Sequence, residues 1–203
     1  DLLGRPWQAR AFAHAIQDWE VALPADAWPT WVLNNHDNAR AATRYSRGVR
    51  AENDTRLQVA AALLLTLRGT PYLYYGEEIG MRDIHLSRGE IQDPVGRRYW
   101  PFYKGRDGCR APMQWSGGPN AGFAPPEARP WLPPHPDSIT RNVAAQERAP
   151  GSLLNFYHRL IELRRASPAL LRGMRLPLTY DTQTILAYLR QSPEETVLVA
   201  LNF

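Results

Sequence analysis

The order of helix-forming and strand-forming segments in the first 75 residues constrains the fold of this chain more than any other feature. Apolar side chains recur at three- and four-residue spacing over residues 5–20, which predicts a helix with one buried stripe. Residues 28–34 and 71–75 are short apolar runs, typical of strands that are buried on both faces. Between them, residues 53–68 predict a helix that is apolar on nearly every side. Because helix and strand alternate, and polar residues follow each strand, the sequence predicts a βα architecture with parallel strands.

Composition narrows the functional class. The 203 residues are 44% apolar and 22% charged, which allows a folded core, and the single cysteine, Cys109, excludes a disulfide framework and a cysteine zinc cluster. No apolar run approaches the roughly 20 residues that span a bilayer. The 24 basic residues are scattered among 20 acidic ones and form no basic stripe. We therefore expect a soluble, cytoplasmic protein that binds neither nucleic acid nor membrane.

The second half of the chain changes character. Residues 94–136 are rich in proline, glycine and tryptophan, which predicts a long functional loop with little regular structure. A helix is predicted to begin at Ser152 and to end near Arg165, and residues 184–190 and 196–202 predict a β hairpin. The chain starts without methionine and stops in an apolar run, so we expect it to be a fragment of a longer polypeptide.

The most informative motif is the tetrad Asn35-His36-Asp37-Asn38, directly after the first predicted strand. In a βα barrel the active site is built at the carboxyl ends of the strands, where this His-Asp pair falls. A carboxylate there can stabilise positive charge on an oxocarbenium-like transition state, and an imidazole can donate to a sugar hydroxyl. The alternatives are that Asp37 caps the next helix and that His36 is a satisfied interior residue.

Further segments accompany the tetrad in order along almost the whole chain. They are PYLYYGEEIGM (71–81), IQDPVGRRYWPFYKGRDGCRAPMQW (91–115), PNAGF (119–123), PWLPPHPD (130–137) and NVAAQ (142–146). Together with NHDN, these segments resemble the α-amylase family of glycoside hydrolases, and within it the α-glucosidase and oligo-1,6-glucosidase branch. The resemblance therefore rests on an ordered set of segments and not on a single motif.

This resemblance implies a retaining mechanism on a (β/α)8 TIM barrel, with a nucleophilic Asp after the fourth strand, a Glu acid/base after the fifth and a second Asp after the seventh. Asp37 matches that second Asp, and His36 matches its neighbouring substrate-binding imidazole. The other two carboxylates are expected upstream of this chain, so we expect the isolated chain to be inactive. We expect no cofactor and no metal ion. The expected partners are a small α-glucoside and the N-terminal part of the same barrel.

The resemblance also predicts the fold class and the domain boundaries. The chain is expected to be α/β, with strands seven and eight and their flanking helices forming the C-terminal part of the barrel over residues 1–168. A long entrance loop, residues 83–150, belongs to this domain. Residues 169–203 are expected to begin a small antiparallel β domain.

Three arginines are candidates for substrate binding. By resemblance, Arg106 matches an arginine that holds the non-reducing end of the bound glucose, and Arg110 follows in the same loop. A planar guanidinium suits this role because it bridges a carboxylate and a hydroxyl at once. The alternative is that Arg106 and Arg110 bond Asp93 or Asp107 and only hold the loop. Arg40 follows the tetrad and is interpreted either as a substrate ligand or as a capping or solvated residue.

Other candidate residues and functions are secondary. Glu77 and Glu78 follow the second predicted strand, and in the family this GEE segment looks structural and not catalytic. Trp100 and Trp115 either stack on sugar faces or anchor the loop. Two alternative functions stay open: a transferase or isomerase of the same family, such as a trehalose synthase, and a non-catalytic relative of the barrel used for partner assembly.

Overall fold

The computed structural model describes residues 2–24, 26–46, 54–178 and 184–203, so Asn53, where the second helix is predicted to begin, lies outside the described residues. The chain divides into two compact units. The first unit comprises Asp1–Leu33, Glu52–Leu73 and Phe156–Phe203. The second unit comprises Asn34–Ala51 and Tyr74–Asn155.

The described helices and strands follow the predicted order. The helices are α1 (Ala9–Ala22), α2 (Ala41–Tyr45), α3 (Thr55–Thr66), α4 (Pro94–Tyr99), α5 (Val143–Glu147), α6 (Leu153–Ala166) and α7 (Pro168–Arg172). The strands are β1 (Thr30–Val32), β2 (Thr70–Tyr72), β3 (Met174–Pro177), β4 (Ile185–Gln191) and β5 (Thr196–Asn202). The helix predicted to begin at Ser152 is therefore confirmed as α6.

β1 and β2 form the parallel pair that the alternation predicts, with Thr30 opposite Thr70 and Val32 opposite Tyr72. The prediction that β2 is buried on both faces is wrong. Its residues Thr70 and Tyr72 are exposed, and Pro71 is only partly buried. Within the described part of the chain this sheet has two strands, so no further strand pairs with the other edge of β2.

The close approach of β2 to β1 depends on a glycine. Gly69 precedes β2 with a φ of +125°, and a Cβ there would lie 2.5 Å from the carbonyl oxygen of Pro29. Glycine alone combines this backbone conformation with the space available. Nearby, the buried Trp31 of β1 donates its indole N–H to the carbonyl of Arg68 at 2.6 Å. This hydrogen bond fixes the short segment that connects α3 to β2.

The second sheet of the first unit is antiparallel, in the order β3-β4-β5. The hairpin of β4 and β5, with Ile185 opposite Asn202, confirms the predicted one. β3 was not predicted and adds a third strand beside β4. Arg175 of β3 donates from Nε to both carboxylate oxygens of Glu20 in α1 at 2.9 Å, so an ion pair connects the sheet to α1.

The carboxyl-terminal end of α3 is held by two buried arginines, Arg164 of α6 and Arg190 of β4. Arg190 donates to the carbonyl of Thr66, and burial lowers the pKa of Arg190 to about 10. Arg164 donates to three backbone carbonyls, those of Leu65, Leu67 and Gly69. The bonds to Leu65, Thr66 and Leu67 satisfy carbonyls that a helix end leaves without partners, and they place positive charge where the helix dipole favours it.

Arg164→Leu should lower the free energy of unfolding by about 3 kcal/mol, because it leaves buried carbonyls without a donor. Urea denaturation followed by circular dichroism measures this loss. The matched control is Arg165→Leu at the next position, which is exposed and should change stability by less than about 0.5 kcal/mol. Equal effects of the two substitutions would contradict a structural role for the carbonyl bonds.

The second unit contains the long loop. Its apolar core includes Ile79, Met81, Met113 and Leu132. As predicted, regular structure is scarce between residues 94 and 136, where α4 is followed by short 3₁₀ turns. The loop contributes Met113 and Leu132 to this core, whereas its aromatic side chains Trp115, Phe123 and Trp131 are exposed.

Candidate active site

The tetrad lies in the second unit and is held by asparagine side chains. Asn35 Oδ1 accepts hydrogen bonds from the backbone N–H groups of Asp37 and Asn38, both at 2.9 Å. The buried Asn34 accepts from the backbone N–H of Ala41 at the start of α2. Side-chain oxygens of this kind fix a tight turn without help from neighbouring strands. The turn leaves the side chain of Asp37 44% exposed.

Two arginines from a distant part of the sequence converge on the carboxylate of Asp37. Arg106 Nη1 and Arg110 Nη2 donate to Asp37 Oδ1 at 3.2 and 3.1 Å. Arg110 also donates from Nε to the carbonyl of His36 at 2.8 Å, and His36 Nε2 lies 3.4 Å from Asp37 Oδ2. We refer to His36, Asp37, Arg106 and Arg110 as the Asp37 cluster. Charge-assisted bonds of this geometry orient a carboxylate strongly.

Arg106 is held in turn by a buried carboxylate. Asp93 Oδ2 accepts from the backbone N–H and from Nε of Arg106 at 2.9 and 3.0 Å. The side chain of Asp93 is fully buried, and the hydrogen bond from Arg106 lowers the pKa of Asp93 to about 2. Gly105, with a φ of +78°, allows the backbone to close over Asp93. Arg106 therefore bonds both Asp93, as the alternative interpretation has it, and Asp37.

Asp107 belongs to the frame of the loop. It is buried, and its Oδ2 accepts from the backbone N–H groups of Gln92 and Asp93 at 2.6 and 2.8 Å. Cys109 closes the same turn, since its thiol donates to the carbonyl of Arg106 at 3.1 Å. Burial raises the pKa of this thiol to about 11, so Cys109 is a neutral thiol near pH 7.

Arg40 occupies a different environment from the other two candidate arginines. It is buried, and Nη1 donates to the carbonyl of Tyr75 at 2.7 Å. Its guanidinium lies over the rings of Tyr74 and Tyr75, with centroid distances of 4.8 and 4.7 Å. This packing provides a structural role for Arg40, and substrate binding by Arg40 stays a prediction.

Glu77 and Trp100, two of the secondary candidates, each contact a neighbouring residue. Glu77 is buried, and its Oε2 accepts from the backbone N–H of Tyr74 at 3.4 Å, in line with a structural role. Lys104 lies over the ring of Trp100 at 5.4 Å. Neither contact involves Asp37.

An open cleft adjoins the Asp37 cluster, and sequence reasoning missed most of it. Its volume is about 490 Å³, and its walls include Tyr75, Glu78, Arg110, Trp115, Phe123 and Trp131. We call it the aromatic cleft. Phe123 and Trp131 lie in the segments PNAGF and PWLPPHPD, whose aromatic residues were the available signal. The pattern gave no indication that they line one cleft with Trp115.

No group of three or more His, Cys, Asp or Glu side chains in the described ranges could hold a metal ion. None of the described helices is long and apolar enough to cross a membrane.

Sequence comparison gives matches over nearly the whole chain. The family described as "Alpha amylase, catalytic domain" matches residues 5–173. The "Probable alpha-glucosidase" of Rhizobium meliloti (strain 1021) is 38% identical over 190 residues, which cover 94% of this chain and 34% of the relative. The "Oligo-1,6-glucosidase" of Parageobacillus thermoglucosidasius is 31% identical, over 98% of this chain and 38% of the relative. The chain thus spans about a third of the length of the curated relatives it matches.

Solved structures of similar proteins also match nearly the whole of this chain. The crystal structure of the alpha-glucosyl transfer enzyme XgtA superimposes with a TM-score of 0.87 at 34% identity, over 97% of this chain and 36% of that one. The trehalulose synthase MutB from Pseudomonas mesoacidophila MX-45 superimposes with a TM-score of 0.85 at 29% identity, over 98% of this chain and 38% of that one.

Proposed function

The chain belongs to the α-amylase family, and we propose that it is the C-terminal part of the barrel of a retaining, exo-acting α-glucosidase that hydrolyses short α-linked glucosides. In this proposal the N-terminal part of the same barrel is the partner that supplies the nucleophilic Asp and the acid/base Glu. The barrel part extends over residues 1–168, and residues 169–203 begin the small β domain. We also propose a cytoplasmic location, in keeping with the single, buried cysteine.

The observation that carries the proposal is the carboxylate of Asp37 between two guanidinium groups. In the proposed reaction Asp37 stabilises the positive charge that develops at the anomeric carbon, because a fixed anion beside an oxocarbenium-like centre lowers the barrier. His36 binds hydroxyls of the glucose, and Arg106 closes the site behind it. Because Asp93 already accepts two hydrogen bonds from Arg106, the side chain of Arg106 loses little conformational freedom when substrate binds.

The relatives supply the substrate class. Curated relatives are named as α-glucosidases and oligo-1,6-glucosidases, so the proposed substrate is an α-glucoside with a short aglycone or a second sugar. The Asp37 cluster argues against a non-catalytic assembly protein, since a scaffold has no physical need for an exposed carboxylate held by two arginines.

A second candidate function is transfer or isomerisation instead of hydrolysis. It is favoured by the solved structures, which include a glucosyl transfer enzyme and a trehalulose synthase. The two functions share the glucosyl-enzyme step and differ in the acceptor, which is water in one and a sugar or alcohol in the other.

A chimera tests the proposal: this chain replaces the matched third of the Rhizobium meliloti relative, and we call the product the completed barrel. We expect it to convert maltose to glucose, with the α anomer formed first, as proton NMR during the first minutes can show. Trehalose or another disaccharide as the main product would instead support the isomerase. A completed barrel with a cooperative thermal transition but no turnover of any α-glucoside, beside an active parent relative, would contradict both.

A further inference from the structure

Two consecutive tyrosines hold the main chain on either side of Arg110. The hydroxyl of Tyr75 donates to the carbonyl oxygen of Ala111 at 2.7 Å. The hydroxyl of Tyr74 donates to the carbonyl oxygen of Cys109 at 3.3 Å, which is a longer and weaker bond. Because these carbonyls belong to the residues just before and just after Arg110, the two hydroxyls fix the point from which its side chain starts.

The side chain of Arg110 depends on this anchor because it reaches two acceptors at once. Its Nε lies 2.8 Å from the carbonyl oxygen of His36, and its Nη2 lies 3.1 Å from Asp37 Oδ1. The guanidinium is a rigid, planar fork. A displacement of the main chain at Ala111 must therefore be absorbed by the torsions of the arginine side chain, or it lengthens one of the two hydrogen bonds.

Tyr75 is held in turn by Arg40, three positions after Asp37 in the sequence. Arg40 is buried, its guanidinium lies 4.7 Å from the centroid of the Tyr75 ring, and its Nη1 donates to the Tyr75 carbonyl oxygen at 2.7 Å. The backbone N–H of Arg40 donates to Asp83 Oδ1 at 2.9 Å. The path of contacts that leaves Asp37 through Arg110 therefore returns to the same turn through Arg40.

Tyr75 also lines the aromatic cleft, and 39% of its surface is exposed. Exposure alone would allow the hydroxyl to bind a substrate. The proton of this hydroxyl already forms the bond to the carbonyl of Ala111, a fully buried residue. Because a buried carbonyl that loses its donor is destabilising, we expect this bond to persist when substrate is bound. Tyr75 then acts on the main chain next to Arg110 and not by donating to a sugar.

We propose that Tyr75 is a positioning residue, which orients the Asp37 carboxylate through the guanidinium of Arg110. The inference rests on the proposed function, because that function assigns the reaction in which Asp37 takes part. Its consequence is that the Tyr75 hydroxyl contributes to turnover without contacting the substrate.

The first test uses Tyr75→Phe in the 203-residue chain and needs no catalytic activity. Nitrogen-15 NMR measures how fast the Nε–H protons of Arg110 and Arg106 exchange with water. Arg106 is the internal control, because its Nε donates to Asp93. We expect exchange at Arg110 to become about fivefold faster or more, and exchange at Arg106 to change less than about twofold. The matched variant Tyr103→Phe removes the hydroxyl of an exposed tyrosine and should leave both rates unchanged.

The second test measures initial rates of maltose hydrolysis by the completed barrel. Tyr75→Phe should lower kcat about tenfold and change KM less than about twofold, because a misplaced Asp37 carboxylate is felt most where charge develops at the anomeric carbon. In an Arg110→Met background, the same substitution should lower kcat less than about twofold, because the guanidinium through which Tyr75 acts is then absent. Circular dichroism melting curves show that each variant is folded.

Four outcomes would overturn the inference. They are unchanged exchange at Arg110 in the Tyr75→Phe chain, equal acceleration at Arg110 and Arg106, an equal loss of kcat with and without the Arg110 side chain, and a rise in KM at unchanged kcat. The second would show a general loosening of the loop, and the last a direct contact with substrate. A completed barrel that hydrolyses no α-glucoside with Tyr75 intact would contradict the proposed function, and the exchange rates would still decide whether Tyr75 holds Arg110.

Discussion

Asp37→Asn should lower kcat of the completed barrel on maltose about a thousandfold or more, with a smaller change in KM. Asparagine retains the Oδ1 acceptor, so Arg106 and Arg110 keep a partner and the cluster stays assembled. The substitution removes the negative charge and replaces Oδ2, which lies 3.4 Å from His36 Nε2, by an amide NH2. If Asp37 acts on the charge that develops in the transition state, its loss therefore affects turnover more than ground-state binding.

The control for this experiment is Asp18→Asn, which neutralises an exposed carboxylate of α1 and should leave kcat unchanged. Initial rates with both variants, at saturating and low maltose, separate kcat from KM. Circular dichroism melting curves show whether the Asp37 variant is folded. A folded Asp37→Asn enzyme that retains more than about a tenth of the activity would contradict the assignment of Asp37 to transition-state stabilisation.

The local elements were predictable because their signals are local. α3 is apolar on nearly every side, which only a buried helix tolerates, and its residues Leu63 and Leu64 are buried. The hairpin of β4 and β5 was predictable from two β-branched runs separated by turn residues. β1 was recognisable as a short apolar run, but the predicted burial on both faces is wrong for it as well, since Thr30 is exposed, Trp31 is buried and Val32 is partly buried.

The elements that were not predicted owe their conformation to distant partners. β3 has no alternation of buried and exposed residues and ends at Pro177, a poor residue for a central strand. It is a strand because it pairs with β4. The exposure of β2 has the opposite cause, because a short apolar run is buried only where neighbouring elements cover it, and among the described strands β2 pairs with β1 alone.

The candidate site was predictable in its residues but not in its bonds. The position of Asp37 after a strand and the resemblance of the RDGCR segment indicated which residues to consider. That Arg106 bridges Asp93 and Asp37 depends on contacts across 13 and 69 positions of the chain, which no local pattern encodes. Nearness in sequence is equally uninformative. Arg40 lies three positions after Asp37, and its guanidinium packs on the rings of Tyr74 and Tyr75.

The isolated 203-residue chain should release no glucose from maltose above the uncatalysed background. A retaining mechanism needs a nucleophile and an acid/base about 5–5.5 Å apart. The two acids of the loop that holds Arg106, Asp93 and Asp107, already accept hydrogen bonds from the protein. Asp93 accepts bonds from Arg106 and Val95, and Asp107 accepts from two backbone amides. Moving either carboxylate to a substrate would break the loop that holds Arg106.

The measurement is a coupled glucose assay on the pure chain, with the completed barrel at equal concentration beside it. We expect the two rates to differ at least about a millionfold, the lower range of enzymatic acceleration. Trace contamination by another glucosidase is recognised by repeating the assay with the Asp37→Asn chain, because a contaminant would be indifferent to that substitution. Hydrolysis by the pure chain that disappears in Asp37→Asn would show that this part of the barrel contains a full set of catalytic carboxylates, and would contradict the assignment of the nucleophile and the acid/base to its N-terminal part.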